Sequence, residues 1–132
     1  MKKVIVAIIG AGVGRKHYFA FLDLPELYNV IAVCDVNTAR ARAFVEDGHQ
    51  ARVTDDYASI LADPDIELID ICLPPHLHFD FTTRALRAGK DVICEKPLVN
   101  SVADVDRLIE ICRETGRTIY PVFQYRFGKG IT

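Results

Sequence analysis

Six short apolar runs recur along this sequence, each separated from the next by residues with helical spacing, and that alternation constrains the fold more than any other feature. The first, Val4 to Ile9, contains no polar residue and stops at Gly10, which suits a strand covered on both faces. Val30 to Cys34, Arg52 to Thr54, Ile66 to Leu73, Asp91 to Cys94 and Thr118 to Phe123 are the other strand candidates, the last interrupted by Pro121. Helices fit residues 14 to 24, Thr38 to Asp47, Tyr57 to Leu61, Asp80 to Ala88, and a segment opened by Ser101 that runs to Glu114 and ends at Gly116. Thr38 and Ser101 read as N-caps, Gly48 and Gly89 as stops, and Asp104 occupies the capping-box position after Ser101. Strands in strict alternation with helices call for a parallel sheet of about six strands with helices on both faces, the doubly wound α/β (Rossmann) architecture.

At 132 residues the chain is expected to form one domain, and 50% hydrophobic with 26% charged residues is the composition of an ordinary globule, not of a disordered or fibrous chain. A net charge of −2 leaves no basic excess for a phosphate backbone, so nucleic acid is not an expected partner. The longest uncharged apolar stretch, Val4 to Val13, falls far short of the roughly 18 residues that a membrane span needs. Lys2 and Lys3 before Val4 to Ile9 imitate a signal peptide, but the glycines that enter the run and Arg15-Lys16-His17 after it break the imitation. Cys34, Cys72 and Cys94 fall in strand-like runs and Cys112 in a helical pattern, with no C-x-x-C pair. They are expected to be buried, reduced thiols in a cytoplasmic protein.

Ligands of such sheets bind outside the carboxyl ends of the strands, so candidate residues are sought there. The first strand ends in Gly10-Ala11-Gly12-Val13-Gly14-Arg15, where small residues let a pyrophosphate approach the backbone at the start of the next helix. In G-x-G-x-x-G the third glycine would stand at position 15, but Arg15 is there and the glycine is at 14. Asp35 closes the second strand, 23 residues after Gly12, where a carboxylate can accept both ribose hydroxyls of NAD. G-x-G-x-G also suits S-adenosylmethionine-dependent methyltransferases, yet these usually carry an acid two positions before the first glycine, and here that residue is Ile8. No G-x-x-x-x-G-K-[ST] is present for a P-loop.

The fourth strand ends in Cys72-Leu73-Pro74-Pro75-His76-Leu77-His78 and the fifth in Cys94-Glu95-Lys96-Pro97-Leu98. Together with Gly-x-Gly-x-Gly-Arg-x-His, Asp35 and the turn Ala88-Gly89-Lys90, these motifs over residues 4 to about 127 resemble the glucose-fructose oxidoreductase, inositol dehydrogenase and MocA family. The resemblance implies a hydride-transferring domain that binds NAD in preference to NADP. The glycine loop would hold pyrophosphate, with Asp35, Val36 and Arg40 at the adenosine ribose. Leu73 to Pro75 would line the cofactor beside Cys72, and Glu95 and Lys96 would stand near nicotinamide and substrate. It also implies a cis bond between Lys96 and Pro97, and a chain in which residues 128–132 begin a crossover to a C-terminal substrate domain that is commonly the oligomer interface. The substrate would be a sugar, cyclitol or related polyol.

The chemistry expected of Lys96 stands independently. A partly desolvated ammonium aimed at a carbinol oxygen stabilises the alkoxide character that develops during hydride transfer. His78, at the start of a helix, is expected either to contact the cofactor or only to cap or pack. Asp70, inside an apolar strand, is expected to be paired for structural reasons, because a buried carboxylate must be. Arg126, in Gln124-Tyr125-Arg126-Phe127, matches the family segment that passes the active site, and Tyr120, Phe123, Tyr125 and Phe127 crowd an aromatic patch into the same exit. No metal ligand set is expected. Besides the dehydrogenase domain, three readings remain open: a self-contained nucleotide sensor, a methyltransferase, and a partner-binding domain with a degenerate site.

Overall fold

A computed structural model describes residues 2–45 and 49–128. The apolar runs become β1 (Val4–Ile9), β2 (Tyr28–Cys34), β3 (Arg52–Thr54), β4 (Leu68–Ile71), β5 (Asp91–Cys94) and β6 (Ile119–Pro121). Between them lie α1 (Gly14–Leu22), α2 (Thr38–Val45), α3 (Tyr57–Ala62), α4 (His78–Arg87) and α5 (Val102–Thr115), with short 3-10 turns at Pro75–Leu77 and Gln124–Phe127. The strands form one parallel sheet in the order β3-β2-β1-β4-β5-β6. The chain therefore builds outward from β1 through β2 to β3, then returns to β4 on the other side of β1. That reversal opens a crevice beyond the carboxyl ends of β1 and β4, the place where doubly wound sheets take ligands.

Two apolar layers hold the sheet. Val6, Ile8, Val33 and Leu68 pack with Tyr18 of α1 and with Ala41 and Phe44 of α2, while Ile9, Ile69, Ile71 and Val92 pack with Ile60, Leu86, Leu108 and Ile111. Each such Ile or Leu stabilises the fold by about 1.5–3 kcal/mol when fully buried. In β4 all four residues are buried, Asp70 among them.

Several element ends differ from the sequence expectation, for local reasons. The cap of α2 is Asn37 and not Thr38: Asn37 Oδ1 accepts the Arg40 N–H at 3.2 Å, leaving Thr38 as the first helical residue. The expected end of that helix at Asp47 and its stop at Gly48 lie outside the described residues. Strand β4 is shorter than expected because Pro74 and Pro75 turn the chain into a 3-10 turn, from which α4 begins at His78. Ser101 Oγ accepts the Asp104 N–H at 3.1 Å at the start of α5, and Gly116 ends that helix with φ +69°. All four cysteines are free; Cys34, Cys72 and Cys94 are buried as expected, but Cys112 on α5 is only partly buried. Burial pushes the Cys34 and Cys94 thiols up to about 11, so both are inert at neutral pH. No helix among the described residues is long and apolar enough to cross a membrane.

Candidate functional site

The crevice between β1 and β4 is a groove of about 410 Å³. Its floor and one wall come from the loop after β1, through Gly10, Gly12 and Val13, and its far wall from Cys72 to Pro75. Asp35 and Arg40 close one end, Glu95 and Lys96 the other.

The glycine loop has a separate reason for each of its three glycines. Gly10 sits at φ +101°, and a Cβ there would lie 2.5 Å from the Cys72 carbonyl oxygen. Gly14 would place a Cβ 2.9 Å from Ile8 Cγ2, so its bare backbone is what lets α1 lie on β1. That is the helix-to-strand packing role of the third fingerprint glycine, and it is filled here one position early. Gly12 faces open space, its nearest neighbour being Arg40 Nη1 at 4.0 Å, so a ligand can reach its backbone. No side chain caps α1 and no acid stands in its first turn, which leaves the positive end of the helix dipole available to an anion.

Asp35 is only 6% exposed, yet it is well supplied with donors. Oδ2 accepts the Ala11 N–H at 2.6 Å and Arg40 Nη2 at 2.8 Å, and Oδ1 accepts the Asn37 N–H at 2.7 Å. Burial pushes its carboxyl up, but these bonds outweigh it and hold the group below the usual carboxylate range. Asp35 is thus a fixed, ionised acceptor whose Oδ1 keeps lone-pair capacity for a hydroxyl.

At the opposite end the Lys96–Pro97 bond is cis, and Glu95 Oε2 accepts the Lys96 N–H at 3.1 Å. The Lys96 side chain is exposed and its ammonium makes no hydrogen bond or ion pair among the described residues. In place of a cofactor contact, His78 is fully buried: its Nδ1 lies 2.7 Å from the Pro97 carbonyl and its Nε2 2.7 Å from the Leu73 carbonyl. It ties together the loops that follow β4 and β5, and so sets the spacing of the walls without lining them.

His17 is the residue whose role sequence reasoning missed. Its Nδ1 lies 2.7 Å from Asp70 Oδ2 and its Nε2 2.7 Å from Glu95 Oε1. Burial works against a charged ring, but the two carboxylates overcome it and raise the group from 6.5 to about 9, so His17 is an imidazolium at neutral pH. Asp70 is thereby paired, as a buried carboxylate must be, and it also accepts from the Cys72 thiol at 3.6 Å. The donor atoms of His17, Asp70 and Cys72 lie within 4.8 Å of one another, a spacing a metal could bridge, but these hydrogen bonds account for it. The available signal was Asp70 itself, a carboxylate in an apolar strand that required a cation from the helix laid over it.

Because the folded state raises His17, the stability it contributes is fully present below about pH 6.5 and is lost as pH rises through about 9. Buried cysteines also destabilise the fold in alkali, so the His17 share is read as a difference from a non-titrating variant. Urea unfolding of native protein and His17→Gln between pH 6.5 and 9.5 is expected to converge by about 1–2 kcal/mol, solvent at the outer edge of the ring reducing the full linkage. Parallel curves would show that the ring is uncharged.

The remaining candidates are placed as follows. Ala11 is buried and contributes its N–H to Asp35. Arg15 stands outside the groove, its guanidinium 5.1 Å above the Phe19 ring. Val36 is 92% exposed beside Asp35. Arg126 is exposed on the turn after β6 and does not line the groove. Tyr120, Phe123 and Phe127 are exposed, as the aromatic patch expected, and the Tyr125 side chain lies outside the described residues.

Residues 4–123 match the family described as an oxidoreductase family with an NAD-binding Rossmann fold. The chain is 33% identical over 128 residues to the uncharacterized oxidoreductase YrbE of Bacillus subtilis, covering 96% of this chain and 37% of that protein. It is 33% identical over 126 residues to inositol 2-dehydrogenase of Salmonella typhimurium, covering 93% of this chain and 38% of that enzyme. Among solved structures, the WlbA dehydrogenase of Chromobacterium violaceum, in complex with NADH and UDP-GlcNAcA, superposes with a TM-score of 0.88 at 25% identity, over 96% of this chain and 37% of that one. The chain thus spans well under half the length of these relatives.

Proposed function

This chain belongs to the glucose-fructose oxidoreductase, inositol dehydrogenase and MocA family, as its NAD-binding Rossmann domain, and on that premise we propose that the groove binds NAD lengthwise, with the adenosine ribose at Asp35 and the nicotinamide end at Lys96. Residues 1–127 make up the dinucleotide-binding unit. In a protein of the relatives' length, further chain would supply the substrate site, and the reaction would be hydride transfer to or from a sugar, cyclitol or related polyol. The observation that carries the reading is a single groove in which an open glycine backbone, an ionised ribose acceptor and an ammonium unpaired among the described residues follow one another.

The residues present fit the cofactor. Asp35 would accept ribose hydroxyls, the backbone at Gly12 and the uncapped start of α1 would receive the pyrophosphate, and Leu73 to Pro75 would exclude water along one wall. Bound NAD supplies a hydride acceptor. In the oxidation direction the neutral Lys96 amine would take the hydroxyl proton and, as the ammonium, hold its charge against the oxygen. In the reduction direction the ammonium would return that proton to the oxygen as it gains negative character. The free thiols, three of them buried, support a reducing compartment, the cytoplasm.

Titration calorimetry of the 132-residue chain with NADH is expected to show saturable binding, weak because half of the nicotinamide pocket would come from elsewhere, and unaffected by S-adenosylmethionine. Saturable binding of S-adenosylmethionine alone would favour the methyltransferase reading and refute this one. A methyltransferase is already disfavoured by Ile8, which is buried under α1 where the acid of that class would stand.

A further inference from the structure

Three charged groups beneath the groove come from three different elements: His17 from α1, Asp70 from β4, and Glu95 from the residue after β5. The Glu95 carboxylate is fastened at both oxygens. Oε1 faces His17 Nε2 at 2.7 Å, and Oε2 accepts the backbone N–H of Lys96 at 3.1 Å. A carboxylate held at one oxygen can still rotate about its last torsion, which is broad and soft, whereas one held at both cannot. The two ring nitrogens of His17 therefore serve different ends. Nδ1 compensates Asp70, a carboxylate with no exposure at all, and Nε2 immobilises the groove-lining Glu95, to which the Lys96 backbone is anchored.

We propose that His17 is a positioning residue for the nicotinamide end of the site: through its Nε2 bond to Glu95 it sets where the chain leaves β5 and hence where the Lys96 ammonium stands. This rests on the dinucleotide reading of the groove. His17 does not itself line the groove, so its effect passes entirely through Glu95.

Side-chain amides separate the two jobs of the ring. An Asn amide at position 17 places its nitrogen near the site of Nδ1 and can serve only Asp70, while a Gln amide reaches the site of Nε2 and can serve Glu95. A purely structural role, dominated by the buried Asp70, makes His17→Asn the better-tolerated change. The positioning role makes His17→Gln the better one.

The test titrates the native chain and both variants with NADH and with ADP-ribose, which lacks the nicotinamide. The backbone amide resonance of Lys96 is recorded without ligand. His17→Asn is expected to weaken NADH about tenfold, while ADP-ribose stays within twofold. The freed Glu95 carboxylate itself lines the nicotinamide end and moves together with the chain after it, a larger disturbance than loss of the Lys96 ammonium alone. His17→Gln is expected to keep both affinities within threefold and to leave the Lys96 amide near its native position, which His17→Asn shifts. ADP-ribose binding reports that each variant is folded. The reverse order of the variants, equal weakening of both ligands, or an unmoved Lys96 amide in His17→Asn overturns the proposal. A native chain that binds neither ligand overturns the dinucleotide reading itself, a different result from native binding that the variants fail to split.

Discussion

Replacing Lys96 by Met, in a complete oxidoreductase that carries this domain, is expected to lower kcat by about 10² or more while NAD affinity changes only a few-fold. The split follows from where the charges lie. The groups proposed to hold the dinucleotide are the backbone around Gly12 and the carboxylate of Asp35, at the other end of the groove, and none of them bonds to the Lys96 side chain. An exposed ammonium without a partner among the described residues gives little to ground-state binding, but it can meet an oxygen that turns negative mainly in the transition state. The measurement pairs an NAD titration with steady-state rates on a panel of sugars and cyclitols for the same variant. Near-normal turnover would demote Lys96 to a surface residue. Lost NAD binding with lost folding would mean that the Glu95-Lys96-Pro97 corner mainly shapes the sheet edge.

Asp35→Ser is expected to produce the second large change, a collapse of the preference for NAD over NADP. In the native chain a 2′-phosphate would meet a carboxylate that its donors keep ionised, and the like charges would cost NADP about 10² in affinity or more. The Arg40 guanidinium, 2.8 Å from Asp35, is at present consumed by that carboxylate. Removing the acid releases it toward a phosphate. NAD should therefore weaken as its ribose acceptor disappears, NADP should tighten, and the two affinities should come within about tenfold of each other. Calorimetry with both dinucleotides on native and variant chains reads this directly. A native preference for NADP would show that Arg40 already overrides the acid.

How much was legible in the sequence depends on how local the cause was. Val4–Ile9, Arg52–Thr54 and Asp91–Cys94 were read to the residue; for Val4–Ile9 the cause is an apolar run that stops at Gly10, and the two shorter strands were bounded by the turn and helix patterns around them. Ser101 and Gly116 were equally readable, since the Ser101 cap is a bond from a side chain to a backbone three residues away and Gly116 ends the helix through its own left-handed backbone. The first residue of α2, Thr38, was read correctly but its cap was placed one residue late, because Asn37 and Thr38 compete for the capping role and only the backbone path decides which side chain reaches the Arg40 N–H. His78 was left between two roles for a similar reason. Its identity says that it can bond, but its direction, inward to Leu73 and Pro97, depends on how the loops after β4 and β5 converge.

Local pattern and spacing alone determined the alternation of strand and helix, the glycine loop at the end of the first strand and the acid at the end of the second, because each rests on contacts within a few residues or within one βαβ unit. Tertiary structure alone decided that Gly14 rather than residue 15 carries the close helix-to-strand contact, that Arg40 occupies Asp35, and that His17 lies between Asp70 and Glu95. Asp70 and Glu95 lie 53 and 78 positions from the histidine, and no sequence window contains the three together. They meet because the sheet order places β4 and β5 side by side, within reach of His17 on α1, and because a carboxylate buried there is stable only with a cation at hydrogen-bonding distance.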